Sequence, residues 1–186
     1  MSAGHGHGHG GGEHGGNKGV ALLISVLALI LAFAETLGKG AQTGALAYNI
    51  EASNLWAFFQ AKTIRQTVLR TAAEDVEAAG ASEAQKRQAA KWKETAQRYQ
   101  SEPETGEGRE QLAARAKEAE KKRDTSMAAY HHYEVASAAV QIAIVLASAS
   151  IIAEIAALAM AGAVLGVVGV VFCVIGFFFP TAVHLF

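Results

Sequence analysis

The chain has 186 residues, of which 18% are charged, with sixteen Lys and Arg against seventeen Asp and Glu and a formal charge of -1. That balance, with a pI near 6.7, excludes the basic footprint of a nucleic-acid binder, and the length suggests one domain with appendages. The distribution says more than the total: fifteen of the sixteen basic residues lie between Lys39 and Arg123, and apolar residues concentrate on either side.

Residues 1–19 form a Gly/His tail in which nine of nineteen residues are glycine and only Met1 and Ala3 are apolar. Backbone entropy goes unopposed there, so the segment is expected to be disordered. Val20 to Ala34 is an apolar run broken only by Ser25. Its fifteen residues give about 22 Å of helix, and extension over residues 20–38 makes a tilted or locally thinned crossing of the roughly 30 Å hydrocarbon core possible. A cleaved signal peptide is the rival reading, because Ala32-Phe33-Ala34 has the small-x-small pattern of a cleavage site and Lys18 supplies a positive flank.

Residues 39–133 read as a polar helical insert. Ala57, Ala61, Ile64, Val68, Ala72 and Val76 recur at spacings of three and four, which predicts one face of a helix over about 42–79. Ala79-Gly80-Ala81 breaks it. Ser82 stands three residues before Gln85, a capping-box pattern that starts a second helix over about 82–101. There Gln85, Ala89, Trp92, Ala96 and Tyr99 follow a heptad rhythm, the seam of a helical hairpin or coiled coil, and Trp92 and Tyr99 are expected to self-associate across copies. The segment from Ser101 to Gly108 holds Pro103, Gly106 and Gly108 and reads as a loop. A third helix over about 109–133, with Leu112, Ala116 and Ala119 on one side, has no breaker and is expected to run straight into the membrane.

From Val135 to Phe186 the only formal charge is Glu154, and the 45 residues to Phe179 suffice for two crossings of roughly 20 residues each. Residues 134–186 therefore read as a transmembrane hairpin, with spans over about 134–154 and 160–180 and a turn near Glu154. Putting Glu154 at the turn avoids the roughly 2.5–3.5 kcal/mol that insertion scales give for Asp at mid-bilayer. Ala139, Ala143 and Ala147 form one small-residue row, and Gly162 and Gly166, followed by Gly169, form another; such rows let membrane helices approach closely. The fold class is an all-α integral membrane protein: one N-terminal span, a coiled-coil-like polar insert and a C-terminal two-span hairpin.

The blocks IEASNLWAFFQAKTIRQT (Ile50–Thr67) and YHHYEVASAAVQIAIVLASASII (Tyr130–Ile152), the loop SEPETGEGRE (Ser101–Glu110) and the His-rich N-terminus resemble a family of bacterial membrane proteins, domain-of-unknown-function family 4337. The resemblance covers nearly the whole chain after the tail. It implies three spans with a helical insert after the first, and no activity or catalytic residue. The family's expected basic or aromatic turn between the last two spans departs here to Glu154, with no Lys or Arg.

Few groups point to chemistry. His5, His7, His9 and His14 are the candidate metal ligands, since imidazole suits Zn, Ni and Cu, although the glycine spacers supply no preformed geometry. Tyr130, His131, His132 and Tyr133 read as an interfacial belt, with a proton-handling histidine pair as the alternative. Glu35 and Glu154 fall at span ends, and Cys173, the only cysteine, reads as a small buried hydrophobe that allows no intrachain disulfide. No nucleophile–base arrangement or phosphate-binding loop is evident, so neither catalysis nor a cofactor is expected. The functional expectation is a structural or scaffolding membrane protein, with an oligomeric channel or transporter and a metal-binding tail as alternatives. Its partners would be the lipid bilayer and further copies of itself or another membrane protein. Lys121, Lys122 and Arg123 before the second span and Lys39 after the first place the insert in the cytoplasm of a bacterium, at its inner membrane.

Overall fold

The computed structural model describes residues 13–80 and 82–183, with side chains from residue 18 onward. Among the described residues the fold is all-helical: α1 (Glu13–Ala78), α2 (Glu83–Gln100), α3 (Arg109–Ala153) and α4 (Ala156–Phe178). Three of them, α1, α3 and α4, contain stretches long and apolar enough to cross a bilayer. The chain divides into two units, Met1–Gln42 with Ser126–Phe186 (unit 1) and Thr43–Thr125 (unit 2), and α1 and α3 contribute to both.

The expected separate first span, residues 20–38, and the insert helix beginning near residue 42 are in fact one helix, α1, of 66 residues. Gly38 and Gly40 do not interrupt it. A glycine costs a helix only about 1 kcal/mol relative to Ala, and Gly38 is used for contact, since a Cβ there would lie 3.4 Å from Tyr133 Cβ. The tail expected to be disordered through residue 19 is helical from Glu13, because extending a formed helix adds one hydrogen bond per residue ordered.

The other breaks are local. Gly80 takes a φ of +67° past the end of α1, a conformation that favours glycine. Ser82 caps α2 with both halves of the capping box: its side chain accepts from the Gln85 N–H, and the Gln85 side chain accepts from the Ser82 N–H at 2.9 Å. The loop between α2 and α3 turns at Gly106, whose φ is +69°. α3 runs unbroken from Arg109 to Ala153. The connection to α4 is tighter than the expected one: it holds only Glu154 and Ile155, so the last helix begins at Ala156 instead of near 160. Glu154 is exposed and adopts a φ of +56°, reversing the chain without glycine.

In unit 2, α2 and α3 follow one another along α1, both antiparallel to it. α2 lies along residues 66–77, where Lys93 Nζ reaches the Glu77 carboxylate at 2.7 Å and Gln66 Nε2 donates to the Ala96 carbonyl at 3.0 Å. α3 lies along the earlier part: Ala52 and Leu55 pack with Leu112, Ala116 and Ala119, flanked by Trp56 and Phe59. Trp56 Nε1 donates to Glu120 at 2.9 Å.

The core-facing residues of α1 are 52, 55, 59, 62, 66, 69, 73 and 76, all buried or half-buried. This corrects the face expected from Ala57, Ala61, Ile64, Val68, Ala72 and Val76: Ile64 and Val68 are 65% and 60% exposed, and only Val76 of the six belongs to the core-facing series. The periodicity was real, but the buried face carries polar Lys62 and Gln66, so an apolar stripe on the other side gave the stronger signal.

Candidate functional site

In unit 1 the α3–α4 contact is made by glycine. Gly162, Gly169 and Gly176, seven residues apart on α4, are buried against every second turn of α3. A Cβ at Gly162 would meet the Ala143 carbonyl oxygen at 2.8 Å and the Ala147 nitrogen at 3.3 Å. At Gly169 it would meet the Ala136 carbonyl at 3.1 Å, and at Gly176 His132 Cβ at 2.9 Å. Gly166 instead faces α1, against Leu27. Of the alanine row, Ala143 and Ala147 lie under Gly162, and Ala139 is buried. Gly169 and Gly176 continue the glycine row of the sequence at a seven-residue spacing.

In the aromatic-histidine cluster at the start of this part of α3, Tyr130 and His131 are half-buried. Tyr133 is 5% exposed and His132 is fully buried, its ring stacked on Phe172 at 6.1 Å. His132 Nε2 lies 3.2 Å from the Pro180 carbonyl, which can only accept, so the proton resides on Nε2. The inward turn follows from α4, whose Gly176 leaves room for His132. Nearby, α1 and α3 border a groove of about 500 Å³ lined by Ala34, Glu35, Gly38, Lys39, Tyr130, Tyr133, Glu134 and Gln141 among others. Glu35 accepts a long hydrogen bond from Gln141 at 3.5 Å.

In unit 2 the distinctive site is the point where α2 hands over to α3 against α1. Side chains of α1 tie the last turns of α2, the connecting loop and the first residue of α3 together. Gln66, 6% exposed, donates to the Ala96 carbonyl in the last turns of α2 and accepts from Arg109 at the first position of α3. Arg109 also donates to Gln100 at 3.1 Å and stacks over Phe59 at 4.9 Å. Lys62, 4% exposed, stands 3.5 Å from Glu102 and 3.7 Å from Glu107, with Phe58 and Tyr99 at 5.2 and 5.5 Å. A buried ammonium demands such neighbours.

Glu102 also accepts from Arg98 at 2.8 Å. That hydrogen bond holds the Glu102 carboxyl below the ordinary range and raises Arg98 above its own, while partial burial works against each. The network consists of paired charges and satisfied amides, the composition of a clamp; it has no nucleophile set against a base. Its signal was present in the sequence: Lys62 and Gln66 fall in heptad phase with Leu55, Phe59, Leu69 and Ala73. The groove beside it, of about 450 Å³, is lined by Gln66, Arg70, Glu74, Lys93 and Gln97 among others.

The Trp92 and Tyr99 seam is partly used within the unit. Ala89 and Ala96 are buried, Trp92 and Tyr99 half-buried. The proposed metal ligands His5, His7 and His9 lie outside the described residues, and of His14 only the backbone, in the first turn of α1, is described. Among the described residues no group of three or more His, Cys, Asp or Glu converges on a metal position.

Neither the curated proteins nor the solved structures contain a match to this chain. A family model described as a domain of unknown function (DUF4337) matches residues 16–179, which takes in α2 and α4 whole, α3, and α1 from its first turn. The chain therefore belongs to domain-of-unknown-function family 4337.

Proposed function

We propose that the protein is a three-span integral membrane protein whose polar helical unit serves as a scaffold, holding partners or further copies of the chain at the membrane. The observation that carries this reading is the inverted surface of unit 1. Its helices turn small residues toward one another and bulky ones outward: Val164, Val167 and Phe177 are 66%, 64% and 63% exposed, while Gly162, Gly169 and Gly176 are buried. In water each outward residue would cost about 25 cal/mol per Å² of apolar surface. In lipid those faces are at home, and close backbone packing holds the helices together.

A retained first span is part of the proposal. Ala34, just before the possible cleavage point, is fully buried in the middle of continuous helix, a poor substrate for a peptidase that needs extended, accessible backbone. A transport role finds less support. The hydroxyls of Ser25, Ser148 and Ser150 donate to carbonyls of their own helices, at Ala21, Ile144 and Ala147, which leaves Ser137 and Gln141, beside the α1–α3 groove, as the other polar groups within the apolar stretches. The reading includes no catalytic step. It places unit 2 in the cytoplasm of a bacterial cell, on account of Lys39, Lys121, Lys122 and Arg123.

Alkaline carbonate washing and vesicle flotation test the membrane assignment. The protein is expected to float with lipid at full-sequence mass; release into the supernatant, or a species beginning at Glu35, would overturn it. For sidedness, single cysteines at Glu104 and Gly10 in a Cys173→Ala background are exposed to a membrane-impermeant thiol reagent on intact cells. Position 10 should label and position 104 should be protected. The reverse pattern inverts the orientation.

A further inference from the structure

Opposite its core-facing residues, the unit 2 part of α1 carries a second regular series: Ala47, Ile50, Asn54, Ala57, Ala61, Ile64 and Val68. The steps alternate between three and four residues throughout. At 3.6 residues per turn, Ile64 sits roughly half a turn away from both Lys62 and Gln66. Ile50, Ile64 and Val68 are 52%, 65% and 60% exposed, and Leu46 beside them is 60% exposed. Isolated exposed apolar residues are ordinary, but a contiguous stripe marks an interaction surface.

Three-four alternation is the core pattern of a coiled coil. Ala47, Asn54, Ala61 and Val68 occupy a positions, with Ile50, Ala57 and Ile64 at d. We propose that a second copy of the chain docks here, α1 against α1, parallel and in register. The proposal deepens the scaffold reading by naming its partner.

Asn54 is the argument for a second copy and for its direction. It is the single polar residue among the seven. In a parallel, in-register pair it meets its own counterpart, and the two amides can donate to and accept from one another. Antiparallel pairing of the same stripe sets Asn54 opposite Ala57 or Ile64, according to register, and strands its amide in an apolar layer. A two-fold axis supplies the matching asparagine automatically, whereas an unrelated partner would have to carry one.

The flanking positions agree. A parallel pair brings Leu46 near Glu51, Ser53 near Phe58, Gln60 near Arg65 and Thr67 near Ala72, so no like charges meet. The remaining sequence offers no rival occupant from the N-terminus, since residues 1–12 contain only Met1 and Ala3 as apolar residues.

The test uses the full chain reconstituted in lipid nanodiscs or vesicles, in a Cys173→Ala background. Ile50→Cys and Ile64→Cys, each alone, should give oxidant-induced dimers, while exposed Glu118→Cys on α3 should not. Ile64→Asp with Val68→Asp should weaken dimerisation by at least about tenfold, read as mass by light scattering or native mass spectrometry. Because both side chains are exposed, helix content should not change. Asn54→Leu should keep association but give mixed registers or higher oligomers.

A monomeric parent chain, crosslinking at Glu118→Cys equal to that at Ile64→Cys, or a dimer unmoved by Ile64→Asp with Val68→Asp would overturn the proposal. If Trp92→Ala with Tyr99→Ala dissociates the dimer and Ile64→Asp with Val68→Asp does not, the interface lies on α2 and the proposal fails. Flotation, scored separately, reports on the membrane reading alone: a chain that floats as a monomer sinks only the docking surface, and one that dimerises without floating sinks only the membrane assignment.

Discussion

The carbonyl oxygen of Ala143 lies over Gly162 so closely that a Cβ on that glycine would stand 2.8 Å away. The obstacle is backbone, which cannot swing aside as a side-chain end can. Helix α4 is thereby held at a distance that only glycine permits, and the seven-residue repeat of Gly162, Gly169 and Gly176 extends the arrangement along the α3 contact.

Gly162→Ala should therefore destabilise the protein by about 1–3 kcal/mol, the usual range for overpacking, with Gly162→Val worse. Gly166→Ala meets a terminal methyl of Leu27, a buried core side chain that must repack, and no backbone, so it should cost less. Unfolding in mixed micelles of increasing denaturing-detergent fraction, followed by circular dichroism, would measure both. Equal losses at 162 and 166 would contradict a backbone-limited contact.

Lys62 is buried between a half-buried and an exposed carboxylate, with side-chain exposures of 17% at Glu102 and 52% at Glu107. Water can still reach these partners, so truncation falls below the 3–5 kcal/mol typical of breaking a fully buried pair; about 1–3 kcal/mol is expected for Lys62→Ala. Lys62→Met keeps the stem that packs near Phe58 and Tyr99 and should recover part of that loss. Thermal melts of the detergent-solubilised chain would show the order: parent, then Met, then Ala.

The Glu102 carboxyl is held below its ordinary value of 4.5, chiefly by the hydrogen bond from Arg98. A lowered folded-state value means that unfolding takes up a proton as pH drops, so the contribution is complete above the ordinary carboxylate range. It is lost as pH falls through that range to the depressed folded value. The parent protein should lose stability on acidification over this window, and Glu102→Gln should flatten that dependence while leaving stability near neutrality lower. An unchanged pH profile in the variant would show that Glu102 is not among the titrating groups.

Ser82 and Gln85 satisfy each other's backbone donors at the start of α2. Ser82→Ala should cost about 1 kcal/mol, as N-cap losses generally do, and Ser82→Asp should retain most of the stability. Because α2 begins here and carries Ala89 and Ala96 into the core, amide exchange in residues 83–90 should accelerate in the alanine variant more than exchange in α3. Uniform acceleration across both helices would point to global destabilisation instead.

The features legible in the sequence are those decided over a few residues. Gly80, the Ser82–Gln85 box and the Pro103–Gly108 loop depend on φ angles and on backbone donors within one turn of the chain, so residue identity nearly determines them; the reversal at Glu154 was legible from the lone charge that divides the apolar run, since Glu does not favour its φ of +56°. The apolar runs were equally plain, because transfer of a side chain out of water is a property of that side chain. Only the tertiary structure decided which face of α1 is its core: Lys62 and Gln66 are turned inward because Glu102, Glu107, Arg109 and the Ala96 carbonyl await them, residues 30 or more positions away. It likewise decided that α1 continues through Gly38 and Gly40, and that Gly166 faces α1 while Gly162 faces α3. A glycine or a lysine carries no mark of the neighbour it will meet; burial of either is settled by the geometry and polarity of whatever packs against it.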